Sequence, residues 1–182
     1  MPIRLSCHVS LPVILLFLCC VAAAEPGDSG AAIAARDQDG NWLSYGHDYT
    51  EQRFSPLDAI DVDNVDRLGL AWHLALPGMR SLMSTPLVHD GVLYFSGSYS
   101  VVTAVDARTG ELLWRHDPQT LQHAGMNRRV MWDFNRGIAW WNGKVYVGTG
   151  DGRLIALDGR TGAQVWSTRT LDPDTPRYIT GA

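Results

Sequence analysis

The chain has 182 residues, 46% of them hydrophobic and 19% charged, and a formal net charge of −4. That length suits one domain with a sizeable core, and the slight acidic excess excludes the basic footprint of a nucleic-acid-binding protein. The six histidines are scattered singly, so no pair stands at metal-ligand spacing.

The first 24 residues, "MPIRLSCHVSLPVILLFLCCVAAA", open with Arg4, run apolar from Leu11 to Val21 and end on small residues. This is the pattern of a secretory signal cleaved after Ala24. Its apolar stretch falls short of the roughly 20 residues a bilayer crossing needs, so no transmembrane segment is expected in the mature chain. Lipid attachment at Cys19 or Cys20 is the weaker alternative, because Leu18 stands where a small residue is wanted. All three cysteines lie in this segment. The mature chain would therefore enter an oxidising compartment without a disulfide. It also lacks the C-x-x-C-H motif of covalently attached haem. Residues 25–40 form an N-terminal extension in which "AAIAARDQ" (31–38) is a short helix or a poorly ordered tail.

"DVDNVD" (61–66) has the acidic look of a calcium loop. Asp66 stands where that loop needs glycine and Trp72 where it needs its terminal glutamate, so a short solvated helix or turn is expected. Strands follow. "GVLYFSG" and "GKVYVGTG", then "SVVTAVDA" and "GRLIALDG", then "GELLW" and "GAQVW" alternate or run apolar with β-branched and aromatic residues. "GTGDG" (148–152) lacks the Lys-Ser/Thr of a phosphate-binding loop and reads as a hairpin turn.

These strands belong to a repeat. Residues 86–114 and 138–166 align without a gap, and "AVDARTGELLW" (104–114) is nearly copied as "ALDGRTGAQVW" (156–166). A period of about 50 residues indicates a propeller or solenoid. In each copy the aspartate (Asp106, Asp158) can accept turn N–H groups and the glycine (Gly110, Gly162) can take positive φ, which makes a hairpin. Trp114 and Trp166 then lie on outgoing strands, able to cover the join to a neighbouring sheet, and Trp72 holds the same position in an earlier, incomplete unit. The expected fold is all-β: about two four-stranded blades of an incomplete β-propeller occupying 41–182. A propeller has at least about four blades, and "RYITGA" reads as the start of a strand. The chain is therefore expected to be the front end of a longer protein, with open sheet edges of its own.

"NWLSYGHDYTEQRFSPLDAIDVDNVDRLGLAW" (41–72) resembles the opening of the quinoprotein alcohol dehydrogenases, in W-x-x-Y-G (Trp42 to Gly46), R-F-S-P-L (Arg53 to Leu57) and "NVDRLGLAW" (Asn64 to Trp72). The likeness continues through "STPLVHDGVLYFSGSYSVVTAVDARTGELLW", "NRGIAWWNGKVYVGTGDGRLIALD" and "ITGA". The resemblance implies an eight-bladed propeller in the periplasm, with pyrroloquinoline quinone (PQQ) and calcium on its axis. It implies oxidation of an alcohol substrate to an aldehyde, with electrons passed to a cytochrome c or a quinone. It also implies that Arg136, in "NRG", and Thr180, in "ITGA", contact the cofactor. A guanidinium suits the carboxylates and ortho-quinone of PQQ through paired hydrogen bonds. The catalytic base and the calcium ligands are expected beyond Ala182.

Each site residue has a plainer alternative: for Arg136 a surface ion pair with Asp133 or a neighbour, for Thr180 an ordinary β-branched strand position. The chain also departs from the family pattern at two places. Met83 stands where the family carries a glutamate shortly before "TP", and no adjacent cysteines precede "NRG". Met131 or Trp132 would offer a soft or flat apolar surface there, unless both are core residues. These departures sustain a rival reading, a non-catalytic periplasmic propeller that binds proteins or assists outer-membrane assembly.

Overall fold

The computed structural model describes residues 40–172 and 174–181. The signal segment (1–24) and the helix expected over 31–38 lie outside the described residues.

Two antiparallel four-stranded meanders make up the structure. The first runs β1 (Leu87–His89), β2 (Val92–Ser96), β3 (Val102–Asp106), β4 (Leu112–His116). The second runs β5 (Ala139–Trp141), β6 (Lys144–Gly148), β7 (Arg153–Asp158), β8 (Gln164–Arg169). They are the two copies of the repeat, and the strands fall where the alternation places them. Tight turns close β1–β2 at Asp90–Gly91 and β5–β6 at Asn142–Gly143, with positive φ at all four residues. Positive φ at both central positions is what the twist of a two-residue hairpin demands, and Asp-Gly and Asn-Gly supply it at least strain. The connection 117–138 holds a short helix α1 (Thr120–His123) and a 3-10 turn over Gly125–Arg129.

The core lies between the sheets. Leu87, Tyr94, Val102, Ala104 and Trp114 of the first meet Ile138, Trp140, Val145, Val147, Ile155 and Leu157 at or within the second, with Leu43 from the opening segment. Neither sheet buries both faces alone, which is the logic of stacked blades. The W-x-x-Y-G opening is pinned to the edge strand β1, since Trp42 and Val88 exchange backbone hydrogen bonds of 2.8 and 2.9 Å. The acidic stretch 61–66 forms a turn leading into a 3-10 helix over Val65–Arg67 with no buried residue.

The doubled phrase builds the same hairpin twice. One oxygen of Asp106 accepts the N–H of Arg108 and both the N–H and the hydroxyl of Thr109, at 2.9, 2.8 and 3.0 Å. Asp158 does the same with Arg160 and Thr161, at 3.1, 2.8 and 2.8 Å. Gly110 and Gly162 close the turns at φ +75 and +70. These hydrogen bonds, those from Thr109 and Thr161 foremost, hold both carboxyls below their ordinary value of 3.8. A folded-state value below the unfolded one stabilises the charged form. The contribution is complete above 3.8 and disappears as the pH falls through the lowered values. Melting temperature should therefore decline with acidification below about 4. Asp106→Asn with Asp158→Asn, which keeps the acceptor and removes the charge, should flatten that decline while lowering the neutral-pH melting temperature. An unchanged acid slope in the double variant would show that the turns do not sense pH.

Tryptophans join the blades. The Trp72 indole N–H donates to the Ala107 carbonyl at 3.1 Å, and its ring lies where a Cβ on Gly110 would come within 2.4 Å. Trp114 repeats this one blade on, donating to Gly159 at 3.0 Å and lying 2.5 Å from a Cβ placed on Gly162. The Gly159 carbonyl also accepts the Tyr94 hydroxyl at 3.2 Å. Burial, then the carboxylates of Asp90 and Asp158, push that hydroxyl up to about 12, so it remains a donor at neutral pH. Trp72 therefore serves the first sheet as Trp114 serves the second. Trp166 is 39% exposed, and its ring sits 5.9 Å from Tyr146, the same spacing as Trp114 to Tyr94. It repeats half of the arrangement, with no turn against it among the described residues.

Candidate functional site

The segments carrying the residues selected from sequence meet before the N-terminal ends of the edge strands β1 and β5. The Arg136 N–H donates to the Thr180 carbonyl at 2.5 Å, and the Arg136 carbonyl accepts the Thr85 N–H at 3.2 Å. Three segments that lie far apart in sequence thus run side by side: 83–86 before β1, 135–138 before β5, and 179–181. The last was expected to begin a strand and does not. Among the described residues its one backbone bond to the sheets is that from Arg136, and Gly181 at φ +86 leaves the extended conformation that a ladder requires. Thr180 accordingly lies outside the assigned strands.

Local packing explains why "ITG" sits there. The Ile179 methyl occupies the space a Cβ on Gly148 would need, at 2.6 Å. A Cβ on Gly181 would strike the Gly137 carbonyl at 2.7 Å and the Asn135 amide oxygen at 2.8 Å. The isoleucine anchors, the glycine permits the close approach, and the threonine between them is half-buried with no described partner for its hydroxyl.

Arg136 is exposed. Its guanidinium lies 5.4 Å from the centre of the Phe134 ring, and Phe134 lies 6.0 Å from Trp132. The ion pair with Asp133 does not form: the Asp133 carboxylate faces Arg80 instead, at 3.8 Å. No carboxylate pairs with Arg136 among the described residues. Trp132 is not a core residue either, being 62% exposed, whereas Met131 packs half-buried beside Gly150. Met83, 56% exposed, places a thioether and no charge near the same end. An unpaired guanidinium, a hydroxyl with no described partner and the exposed Trp132 ring are chemistry suited to a flat ligand that carries carboxylates.

Two features escaped the sequence reading. Asn135, fully buried, ties the two sheets together and encloses Arg136 in its turn. The Asn-x-Gly spacing of "NRG" signals only its local turn to Gly137, not its ties to Ser96, Ser100 and Gly148. The other is a buried ion pair in the turn read only as a hairpin. Arg153 Nε lies 2.5 Å from Asp151, whose side chain is fully buried, and Arg153 also donates to the Pro118 carbonyl at 2.7 Å. Thr149 hydrogen-bonds the same carboxylate, and Arg169 reaches the Asp151 carbonyl at 3.0 Å. This group fastens the β6–β7 turn to the connection that carries the site. Among the described residues no cluster of three or more His, Cys, Asp or Glu is placed to hold a metal, and no helix is long and apolar enough to cross a membrane.

Comparison with known proteins agrees with this geometry. A family model described as the β-propeller domain of glucose/ethanol/alcohol dehydrogenases, PQQ type, matches residues 42–168. Quinohemoprotein alcohol dehydrogenase ADH IIB of Pseudomonas putida is 53% identical, over 92% of this chain and 25% of its own length. The dehydrogenase subunit of the quinone alcohol dehydrogenase of Komagataeibacter europaeus is 49% identical, over 85% of this chain and 21% of its own. Among solved structures, quinohemoprotein alcohol dehydrogenase ADHIIG of Pseudomonas putida HK5 superposes with a TM-score of 0.72 at 49% identity, covering 79% of this chain and 21% of its own. A europium-containing methanol dehydrogenase does so with a TM-score of 0.71 at 30% identity, covering 84% and 27%. The chain thus spans about a quarter of the length of the relatives it matches. With most of its length matched, the chain belongs to the PQQ-dependent alcohol dehydrogenase family of β-propellers.

Proposed function

We propose that this chain supplies the opening blades of a periplasmic PQQ-dependent alcohol dehydrogenase, in which Arg136 and Thr180 hold the cofactor. The observation that carries the reading is the backbone hydrogen bond from the Arg136 N–H to the Thr180 carbonyl, which brings together the chain at the two residues the family resemblance singles out. Bound there, PQQ supplies a two-electron acceptor for oxidation of an alcohol to an aldehyde. Arg136 donates paired hydrogen bonds to its anionic oxygens, and Thr180 donates one to a carboxylate. The exposed Trp132 ring offers a flat surface where the family carries adjacent cysteines. Calcium, the catalytic base and the site for the cytochrome or quinone acceptor belong to parts of the protein outside these residues. In the same picture Trp166 closes on the turn of a following blade, as Trp114 closes on 158–162.

The test uses the complete reading frame with PQQ and calcium, assaying reduction of an artificial dye by primary alcohols and, separately, PQQ binding. Turnover that depends on added PQQ is expected. A folded protein that neither binds PQQ nor reduces the dye would overturn the proposal. That result would favour the scaffold reading, to which Met83 and the missing cysteine pair already point.

A further inference from the structure

Asn135 precedes Arg136 and exposes none of its surface. An asparagine amide has two acceptor and two donor positions, and here all four are used. Its oxygen accepts the Ser96 hydroxyl at 2.7 Å and the Gly137 N–H at 3.1 Å. Its nitrogen donates to the Gly148 carbonyl at 2.8 Å and the Ser100 hydroxyl at 3.2 Å. Ser96 and Ser100 belong to the first sheet and its β2–β3 turn, and Gly148 ends β6 of the second. The bond to Gly137 spans Arg136, so the arginine backbone is enclosed in a turn whose side-chain half is Asn135. On either side Thr85 and Thr180 take the remaining Arg136 backbone groups. Arg136 is exposed and free at its tip while its base is fixed on every side.

We propose that Asn135 is a positioning residue: its saturated amide fixes the backbone at Arg136 relative to both blades and so sets the direction from which the guanidinium meets its anionic ligand. The inference rests on the reading of Arg136 as a PQQ contact. Buried networks of this kind hold only when every member is satisfied. An aspartate at 135 would turn two donors into acceptors facing the Gly148 carbonyl and Ser100. Removing the Ser96 hydroxyl takes away one of the two partners of the amide oxygen and is the milder change.

The experiment measures PQQ affinity of the complete protein by fluorescence titration for Asn135→Asp, Ser96→Ala, Arg136→Ala and the two combinations with Arg136→Ala. Hydrogen exchange of the segment 134–138 is measured without ligand. Asn135→Asp is expected to weaken PQQ about tenfold when Arg136 is present and less than about twofold when it is absent, the signature of coupling between the two. Exchange at 134–138 should rise about tenfold in Asn135→Asp while the β7 amides stay protected. Ser96→Ala should show the same pattern at smaller size, and it decides the matter if Asn135→Asp does not fold. Equal losses of affinity with and without Arg136 would mean a merely structural role and overturn the inference. If the unaltered protein binds no PQQ, it is the functional reading that fails. Exchange then decides for Asn135: selective acceleration supports the clamp, and an unchanged segment refutes it.

Discussion

Replacing Trp114 with alanine is expected to destabilise the folded chain by about 3–5 kcal/mol, the range for a buried tryptophan truncated to alanine. The ring is 9% exposed, rests on the 158–162 turn and stands 5.9 Å from Tyr94. Truncation leaves a cavity between the blades and removes the indole N–H from the Gly159 carbonyl. Trp114→Phe keeps most of the apolar contact and gives up that hydrogen bond, so a loss of about 1–2 kcal/mol is expected. Trp166→Ala should cost under about 1 kcal/mol in the 182-residue chain, because that ring covers no turn here. Glycines supply an independent check. Gly143 and Gly162 share nearly the same φ, +71 and +70, but a Cβ on Gly143 meets nothing within 4 Å whereas one on Gly162 meets Trp114 at 2.5 Å. Gly143→Ala should therefore show only the backbone penalty of about 1–2 kcal/mol. Gly162→Ala should add about 1–3 kcal/mol of overpacking. Combining it with Trp114→Ala should recover part of that addition, because the clashing ring is gone. Urea unfolding followed by circular dichroism reads all of these without relying on indole fluorescence. Equal losses for Trp114→Ala and Trp166→Ala would show that the join between blades does not depend on the indole.

The same residues show what the sequence made legible. Asp, Thr, Gly and Trp in D-x-R-T-G-x-x-x-W act over a few residues or through one repeating contact, so their spacing revealed both hairpins and the Trp114 join, with Trp72 recognisable as the same position one unit earlier. The Asp90–Gly91 and Asn142–Gly143 turns are equally local, with positive φ at all four residues. Other features were beyond reach because their partners are distant. Asp151 and Arg153 look like polar turn residues until the Pro118 carbonyl, 35 residues away, is brought to the guanidinium. Asn135 looks like an ordinary loop asparagine until Ser96, Ser100 and Gly148 close around it. "RYITGA" reads as the start of a strand, but the left-handed Gly181 and a single backbone bond, from Arg136, decide otherwise. For the candidate site the family resemblance singled out Arg136 and Thr180, and the fold brings their backbones together.

That adjacency makes Arg136→Ala the variant with the largest expected effect on the cofactor. A hydrogen bond to a charged group contributes about 1.5–3 kcal/mol, so losing a paired set should weaken PQQ about a hundredfold or more in the complete protein. Arg136→Lys keeps the charge without the planar fork, and a loss of about tenfold is expected. Thr180→Val preserves shape and removes one hydroxyl, which should cost several-fold in affinity, or about 1 kcal/mol. None of the three should change the stability of the ligand-free protein by more than about 0.5 kcal/mol. The guanidinium is exposed without a carboxylate partner among the described residues, and the Thr180 hydroxyl has no described partner there. The contrast between affinity and stability is what gives the series its force. A residue that merely braced the junction would lose both together, whereas a ligand-binding arginine loses only the first. PQQ titrations run beside thermal melts separate the two cases, and unchanged PQQ affinity in a folded Arg136→Ala protein would remove Arg136 from the cofactor site.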